Sequence, residues 1–534
     1  MTDGLGLGGA YGATLDRIKG QGGEKARLGM AALMWISHAE RPLKSDELCH
    51  ALAVEIGSTD LNTDNVPSIG TLLSCCQGLV VVDKKASTAR LTHVTLQEYL
   101  RAHPGLFGTA HSMIAETCLS YLNSHQVKAL STISSPNLRG TPFLQYSSVY
   151  WGAHAKRDLS DCAKLLALKL FDDYNNHIST KILLGWHHYD PVFGEPDLFS
   201  GLHWACFFGV NEIVAGLVEM KSYDINQRDL AGNTPLVWAA KNGHEGVVKI
   251  LLGRGDINPN KLGCSDRTPL WCAASNGHEG VVKMILGRNN VNPDQSDDCR
   301  QTPLQVAAWN GREGVVKMLL GRGDVNPNKP GWCDRTALWC AAWNGHEGVV
   351  KAILGRGGVS PDEPDDHRQT PLLVAAWNGH EEVVKILLGR DDVNPDEPDN
   401  HCQTPLQVAA WNGHEGVVKM LLGRGDINPN RPGRCDRTAL WCASWNGHEG
   451  VVKILLGRDD VSSDEPDNDG RSPLSCAACA GHERVVKILL GRGDVNPNKP
   501  DRDGQTPLFY AAQNGHAGVV VLLQPLESAT PGTT

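Results

Sequence analysis

The sequence of 534 residues contains no run of 18 apolar residues, so no segment is long and apolar enough to cross a membrane. The first twenty residues also lack the apolar stretch of a secretory signal. Neither the zinc-binding pattern H-E-x-x-H nor the phosphate-binding pattern G-x-x-x-x-G-K-[ST] occurs. We therefore expect an intracellular protein, cytoplasmic or also nuclear, with no catalytic, cofactor or metal site and no membrane partner.

Strong positive charge is also missing. The net charge is −10 and the isoelectric point is near 6.1, whereas nucleic-acid-binding proteins are usually basic, so we expect no nucleic-acid partner. Sixteen cysteines in so long a chain do not form a disulfide scaffold. Four of them share one helical position that valine fills in other copies of a repeated motif, which predicts small buried side chains: Cys272, Cys340, Cys442 and Cys476.

A repeated motif dominates the second half of the chain. Nine copies follow one another at a spacing of 34 residues, and a degenerate tenth copy begins one step earlier, at Ser200. A fixed period of this size predicts a solenoid, in which each unit buries its apolar face against its neighbours. Residues 302–351 and 404–453 are nearly identical and lie three repeats apart, which indicates duplication of a three-repeat cassette. The nine copies begin at Thr234, Thr268, Thr302, Thr336, Thr370, Thr404, Thr438, Ser472 and Thr506.

Each copy has the pattern of two short helices. In the copy that begins at Thr302, this residue can cap a helix and Pro303 suits the first helical turn. Leu304, Ala307 and Ala308 then form one apolar stripe. An Asn-Gly turn separates this helix from a second one, and a turn-rich loop leads to the next copy. We predict helix, turn, helix and loop in every copy.

The motif T-P-L-x-x-A-A-x-N-G-H-x-x-V-V-K-x-L-L resembles the ankyrin repeat across residues 199–523. The resemblance implies a mainly α fold, an ankyrin-repeat solenoid of about ten repeats, and a non-enzymatic protein that binds protein partners. The histidine of the family's T-P-L-H opening survives only as His203, and other copies have residues such as Gln305 or Trp339 there. A glycine inside the second helix, as at Gly314, costs roughly 0.5–1 kcal/mol relative to alanine.

A histidine follows the Asn-Gly turn in most copies, and Arg312 replaces it in one. A zinc site would need these imidazoles to converge within about 2.0–2.3 Å of one ion, whereas stacked helices lie roughly 8–10 Å apart. We therefore predict that the histidines hold the turn between the two helices by hydrogen bonds. They are His244, His278, His346, His380, His414, His448, His482 and His516.

Two other motifs imitate functional sites. The tetrapeptide GRGD, typical of cell adhesion, occurs four times, and each copy lies in the turn after a second helix. The acidic loop 465–470 has the spacing with which a calcium loop opens. Its twelfth position is Cys476, however, where such a loop needs a glutamate that binds the ion through both oxygens. We predict neither adhesion nor calcium binding.

Tryptophan fills one position of the first helix in five consecutive copies: Trp309, Trp343, Trp377, Trp411 and Trp445. This position lies about 140° around the helix from the leucine of T-P-L, away from the apolar stripe, and it resembles the solvent-facing contact position on the concave side of ankyrin proteins. Trp339 and Trp441 lie four residues earlier on the same helical face. Because tryptophan is enriched at binding hot spots, we predict that all seven bind a partner. The alternative is that the indoles only pack across neighbouring repeats.

Residues 24–101 have the pattern of a small α/β unit. Helices are predicted over 24–40, 44–55 and 66–76, and two strands within 78–95. Three helices and a hairpin indicate a winged helix. DNA binding is the less favoured function, because the unit has a net charge of −1 and the third helix lacks side chains that read base edges.

The stretches MWISHAERPLKSDELCHALAVE, CQGLVVVD and RLTHVTLQEYL resemble the winged-helix module that follows the NACHT nucleotide-binding domain in fungal NLR-like proteins. The resemblance implies a signalling receptor with ankyrin repeats as its sensing arm. Since no phosphate-binding motif is present, we expect a non-catalytic scaffold, with a protein partner and also a nucleotide-binding domain in trans. The alternative is the C-terminal regulatory part of a split or truncated NACHT-type NTPase.

We therefore predict five segments. A flexible N-terminus (1–22) precedes the winged-helix module (23–104) and a helical connector (105–198), in which 161–174 is the clearest helix. Ten ankyrin repeats (199–523) and a disordered tail (524–534) follow.

Overall fold

A computed structural model describes residues 4–130, 140–172, 177–179, 182, 199–220, 223–229 and 231–524. The chain divides into two compact units, Met1–Cys264 and Ser265–Thr534. The described residues are mainly helical with one small sheet, which confirms the predicted fold class. None of the helices in these ranges is long and apolar enough to span a membrane.

In the first unit, one N-terminal helix is followed by three helices and a hairpin arranged as in a winged helix. The strands pair antiparallel, with Val80 opposite Leu91 and Asp83 opposite Thr88, and their order after the helices agrees with the sequence prediction. The elements are α1 (Gly4–Gly20), α2 (Gly23–His38), α3 (Ser45–Ala53), α4 (Ile69–Cys75), β1 (Val80–Asp83), β2 (Thr88–Leu91) and α5 (Val94–Ala102), with a short 3₁₀ turn at Thr63–Asn65.

The N-terminal segment differs from the prediction. Where the sequence predicts a flexible segment over 1–22, the structure has the helix α1. Leu15 and Ile18 are buried, and the Tyr11 hydroxyl lies 2.8 Å from the Thr95 hydroxyl. The glycines of α1 lower its intrinsic helix propensity, and burial of its apolar side chains outweighs that cost.

The connector consists of helices where it is described. They are α6 (Ala110–Leu122), α7 (His125–Lys128), α8 (Leu144–Arg157) and α9 (Asp161–Asp172). The Trp151 ring of α8 stacks on Trp204 of the first repeat, with ring centroids 4.1 Å apart, so the connector shares a core with that repeat. Most of 173–198 and the tail at 525–534 lie outside the described residues.

A histidine cluster lies between α2, α6 and α8. His154 is fully buried; its Nδ1 is 2.8 Å from His111 Nδ1, and its Nε2 is 2.9 Å from the Tyr146 hydroxyl oxygen. The ring centroid of His38 lies 5.5 Å from that of His111. Burial lowers the pKa of His154 to about 3, and the nearby His111 and Arg157 lower it further. Burial also lowers the pKa values of His38 and His111, so the neutral form of all three imidazoles is favoured.

Both units contain the repeated pair of helices. The first helices are Gly201–Phe208, Pro235–Lys241, Pro269–Asn276, Pro303–Trp309, Ala337–Trp343, Pro371–Asn378, Pro405–Asn412, Ala439–Trp445, Pro473–Ala480 and Pro507–Gln513. The second helices are Asn211–Glu219, Glu245–Leu252, Glu279–Leu286, Glu313–Leu320, Glu347–Leu354, Glu381–Leu388, Glu415–Leu422, Glu449–Leu456, Glu483–Leu490 and Ala517–Leu523. Ten helix pairs confirm the predicted repeat array.

The local chemistry of a repeat follows its sequence closely. The Thr302 hydroxyl caps the first helix by accepting a hydrogen bond from Gln305 N at 3.2 Å. Gly311 ends it in the left-handed region, with φ of +68°. Val315 and Leu319 of the second helix are fully buried. Caps and turns thus set the helix ends, while the apolar stripes form the core of each unit.

Two glycines of one repeat have opposite roles. Gly413 has a φ of +77°, in the left-handed region that favours glycine. A Cβ at this position would lie 2.6 Å from Nδ1 of the His448 ring. Gly416 lies inside a helix, and its Cβ would overlap only the carboxylate of Glu381, the movable end of an exposed side chain. Other repeats have glutamate or arginine at the position of Gly416, so that position accepts a side chain.

We expect Gly413→Ala and Gly416→Ala to change stability in opposite directions. Gly413→Ala strains the turn and displaces the His448 ring, so the free energy of unfolding falls by roughly 1–3 kcal/mol. Gly416→Ala raises it by roughly 0.5–1 kcal/mol, because alanine favours the helix. Urea unfolding followed by circular dichroism measures both. Equal effects of the two substitutions would contradict this assignment.

We also expect the first unit to lose stability below pH 6.5. The pKa of His154 in the folded chain, about 3, lies below its ordinary value of 6.5, so in this window the unfolded chain binds a proton that the folded chain does not. The loss from this residue alone reaches roughly 2 kcal/mol at pH 5. Urea unfolding at pH 7 and pH 5 measures it. The variant His154→Gln should show a smaller pH effect, whereas exposed His125→Gln should behave as the wild type.

Candidate functional site

The five tryptophans at the end of consecutive first helices, here called the tryptophan row, all reach solvent. Trp309 and Trp377 are each 37% exposed, and the other three members are partly exposed. Tryptophan has a large apolar surface with one polar N–H group, a composition typical of protein interfaces. The row is Trp309, Trp343, Trp377, Trp411 and Trp445.

Trp339 and Trp441 differ from the row because they are buried, with 0% and 1% of their surface exposed. This corrects the prediction that they contact a partner directly. They fill the position that His203 fills in the first repeat. His203 Nε2 donates to the carbonyl oxygen of Gln227 at 3.0 Å, and Trp339 Nε1 donates to that of Gln369, also at 3.0 Å. The indole of Trp339 therefore ties its helix to the following loop, as the histidine does.

The buried indoles hold members of the row in place. The Trp339 and Trp343 rings stack with centroids 5.3 Å apart and an interplanar angle of 9°. The Arg335 guanidinium carbon lies 4.2 Å from the Trp339 ring centroid. Arg335 Nε in turn lies 3.6 Å from Oδ2 of Asp365, a buried carboxylate. This column of Asp, Arg and two Trp holds the partly exposed Trp343 ring in place.

The duplicated cassette repeats the stack. The Arg437 guanidinium carbon lies 4.1 Å from the Trp441 ring centroid, and the Trp441 and Trp445 centroids are 5.5 Å apart at 5°. Because an indole face attracts a cation, each column presents an arginine beside an aromatic surface.

Two cavities open beside these columns, at equivalent positions of the two cassettes. The first has a volume of about 90 Å³ and is lined by Gln301, Gln305, Trp309, Trp332, Arg335 and Cys340. The second has a volume of about 360 Å³ and is lined by Trp377, Gln403, Gln407, Trp411, Arg434, Cys435, Arg437 and Cys442. None of these lining residues is acidic.

Each cavity is lined by a buried glutamine that forms hydrogen bonds to the neighbouring loop. Gln305 Oε1 accepts a hydrogen bond from Thr302 N at 2.8 Å, and its Nε2 donates to the carbonyl oxygens of Lys329 at 2.6 Å and Arg335 at 2.9 Å. Gln407 makes the corresponding bonds in the second cassette. The side-chain amides thereby fix the loops that carry the arginines.

The turn histidines link neighbouring repeats, whereas the sequence suggested that they hold the turn of their own repeat. His448 Nε2 donates to the Trp411 carbonyl oxygen at 2.8 Å, and His346 Nε2 donates to that of Trp309 at 3.0 Å. Arg312 makes the equivalent bond to Ser275 at 3.3 Å. The predicted hydrogen bonds are present. Their acceptor is the main-chain carbonyl oxygen of the residue at the tryptophan position. The further pairs are His380 with Trp343, His414 with Trp377, and His482 with Trp445.

The arginine of GRGD has a structural role. In the copy at 321–324, Arg322 pairs with Asp324, whose Oδ2 is 2.6 Å from Nη2. Arg322 Nη1 also donates to the Leu286 carbonyl oxygen at 2.6 Å, at the end of the preceding second helix. A cation there satisfies a free helical carbonyl and complements the helix dipole. These two contacts connect the turn after one second helix to the end of the preceding one.

Two groups of side chains have the chemistry of metal or redox ligands. Asp297, Asp298 and Cys299 lie close together, but Asp297 is buried and its Oδ2 lies 3.5 Å from Nε of Arg267. A C-x-x-C pair, Cys476 and Cys479, lies in the helix Pro473–Ala480, and its pattern is visible in the sequence. Burial raises the pKa of Cys476 well above its usual value, which disfavours the reactive thiolate. Cys272, Cys340, Cys442 and Cys476 are buried, as predicted.

Paired helices stacked through inter-repeat hydrogen bonds, with a preorganised aromatic face, define a helical-repeat interaction scaffold. A match to a known protein family identifies the type of repeat. The family described as "Ankyrin repeats (3 copies)" matches residues 155–261, 202–297, 256–329, 280–363, 304–399, 338–433, 392–465 and 440–531. The chain belongs to the ankyrin repeat family.

The winged-helix region has its own match. Residues 17–109 match the family described as "GPI inositol-deacylase, winged helix domain". This match begins inside α1, earlier than the module boundary at residue 23 predicted from the sequence. No curated protein is significantly similar to the chain.

We expect the turn histidine to contribute to stability through its link to the preceding repeat. His414→Ala removes the donor to the Trp377 carbonyl oxygen and should lower the free energy of unfolding by about 1–3 kcal/mol. His414→Arg should retain most of the stability, because Arg312 makes the same link. Urea unfolding of the full chain measures the difference. If both variants lost the same free energy, the link would not be the source of the stability.

Proposed function

We propose that the chain is a non-catalytic scaffold that captures a protein partner on the tryptophan row, as the sensing arm of an NLR-like receptor. The proposed location is the cytoplasm, with the nucleus as the alternative compartment. Ankyrin repeats are a protein-interaction fold, and the exposed indoles are the chemistry that such a scaffold offers to a partner.

One observation carries the proposal. The inter-repeat bond at the tryptophan position uses the main-chain oxygen, so it does not need an indole. Ser275 and Cys479 occupy the same position in other repeats, and their carbonyl oxygens accept the same bond from Arg312 and His516. The packing alternative therefore gives no reason for an indole at Trp309, Trp377 and Trp411, whereas binding of a partner does. Trp343 and Trp445 also stack on the buried indoles of Trp339 and Trp441.

The winged helix supports a regulatory setting for this scaffold. In the resemblance described above, such a module follows a nucleotide-binding domain, and the sequence of this chain has no phosphate-binding motif. The module would thus couple capture by the repeats to a nucleotide-binding domain in trans. The second candidate function, the regulatory part of a split or truncated NACHT-type NTPase, rests on the same match.

We expect the combined variant with Trp→Ala at 309, 343, 377, 411 and 445 to fold and to lose its specific partners. The fold should persist because the main-chain bonds at these positions remain. Affinity capture from cell extract, compared with the wild type, measures the loss, and circular dichroism confirms folding.

The matched control carries Val94→Ala and Leu165→Ala, which remove exposed apolar side chains outside the row. It should capture the same proteins as the wild type. A folded row variant that keeps every partner, or a row variant that does not fold, would favour packing over binding. A captured nucleotide-binding domain that depends on residues 17–109 would support coupling through the winged helix, which both candidate functions share.

A further inference from the structure

The two nearly identical blocks 302–351 and 404–453 differ at five of their fifty positions. Three of the differences leave the local chemistry nearly unchanged. Val325 corresponds to Ile427 and Ala342 to Ser444, and all four side chains are buried. Lys329 corresponds to Arg431, which has the same charge. A fourth exchanges Arg312 for His414, which make the same inter-repeat bond. The fifth exchanges Trp332 for Arg434.

This fifth difference changes the chemistry of the two cavities. Trp332 lines the first cavity and is 56% exposed, while Arg434 lines the second and is also exposed. The first cavity therefore has two indoles, Trp309 and Trp332, around a single arginine. The second has two indoles, Trp377 and Trp411, and two arginines, Arg434 and Arg437, in a larger volume. Both cavities are thus aromatic, and the second, here called the cationic pocket, has one arginine more than the first.

We propose that the tryptophan row binds an extended peptide segment with two unlike anchors, an apolar or aromatic side chain in the first cavity and a carboxylate side chain in the second. This inference rests on the proposed function and specifies the partner's chemistry. The two arginines suit a carboxylate because guanidinium groups bind it through paired hydrogen bonds. No lining residue is acidic, although the whole chain has a net charge of −10, so the cationic pocket is a local feature that selects an acidic ligand.

The repeat spacing sets the distance between the anchors. Three helix-to-helix steps of roughly 8–10 Å separate the cavities by about 24–30 Å. At about 3.3 Å per residue, an extended peptide covers this distance in about 7–9 residues. Because the pockets differ, the peptide has a defined direction along the row.

The size of the pockets agrees with these assignments. A volume of about 90 Å³ accommodates one side chain between the indoles, and the braces from Gln305 leave little room for adjustment. The second volume, about 360 Å³, accommodates a carboxylate with its neighbouring residues. Arg437 is held there by its stack on Trp441, so its charge is positioned in advance.

The chain itself supplies the variants for the test. Trp332→Arg and Arg434→Trp each introduce the residue that the other cassette has at the same position, so both are compatible with the fold. Val325→Ile is the matched control, because it makes the corresponding exchange at a buried position away from the cavities. Circular dichroism verifies folding of all three.

A displayed library of random 16-residue peptides is selected on the full-length chain and on each variant, and selected peptides are then measured by fluorescence anisotropy. The wild type and Val325→Ile should enrich peptides with an acidic residue about 7–9 positions from an apolar or aromatic one. Arg434→Trp should weaken binding of these peptides by about tenfold or more and select peptides with two apolar anchors. Trp332→Arg should select peptides with two acidic anchors.

Several results would overturn the inference. They are enrichment of peptides without an acidic residue, an affinity that Arg434→Trp leaves unchanged, or no enrichment at all. Tight binding of a single-stranded oligonucleotide, an alternative ligand for indoles and arginines, would also overturn it. None of these results decides the proposed function, because capture of a folded protein partner is measured separately with the row variant. If capture depends on the row but acidic peptides do not bind, only the present inference fails.

Discussion

The hydrogen bond from a turn histidine to the carbonyl oxygen at the end of the preceding first helix organises the repeats of this chain. It joins a repeat to the one before it, as in His448 to Trp411, and its acceptor is a main-chain oxygen. At several interfaces a second link runs in parallel, where the arginine after a second helix donates to the end of the previous one. Such bonds help short helices of seven to nine residues to persist, because isolated helices of this length are marginal in water.

A link made by the main chain leaves the side chain at that position free to change. Ser275, Trp309 and Cys479 all accept the bond with their carbonyl oxygens. The surface of the array can therefore acquire new chemistry while its interfaces stay constant. The nearly identical blocks 302–351 and 404–453 both have the tryptophans, and their difference at Trp332 and Arg434 gives them different pockets.

The first unit combines a winged helix with the connector and the first repeats, and its interior is partly polar. The neutral histidine cluster around His154 joins the winged helix to the connector, since α2, α6 and α8 each contribute one imidazole. A buried cluster of this kind stays neutral because burial penalises the charged form. Burial of this cluster makes the stability of the first unit sensitive to acid.

The sequence by itself determined the period, the caps, the helix pairs and the exposure of the tryptophan row, because these depend on neighbours three or four residues apart. It also indicated the three helices and hairpin of the winged helix. Tertiary structure alone decided that Trp339 and Trp441 are buried, that α1 is a helix, and that the histidines reach across to the preceding repeat. Tertiary structure also decided that Arg335 pairs with Asp365, which lies thirty residues later in the sequence. Such contacts join residues that are distant in sequence, and stacking of one repeat on the next is what brings them together.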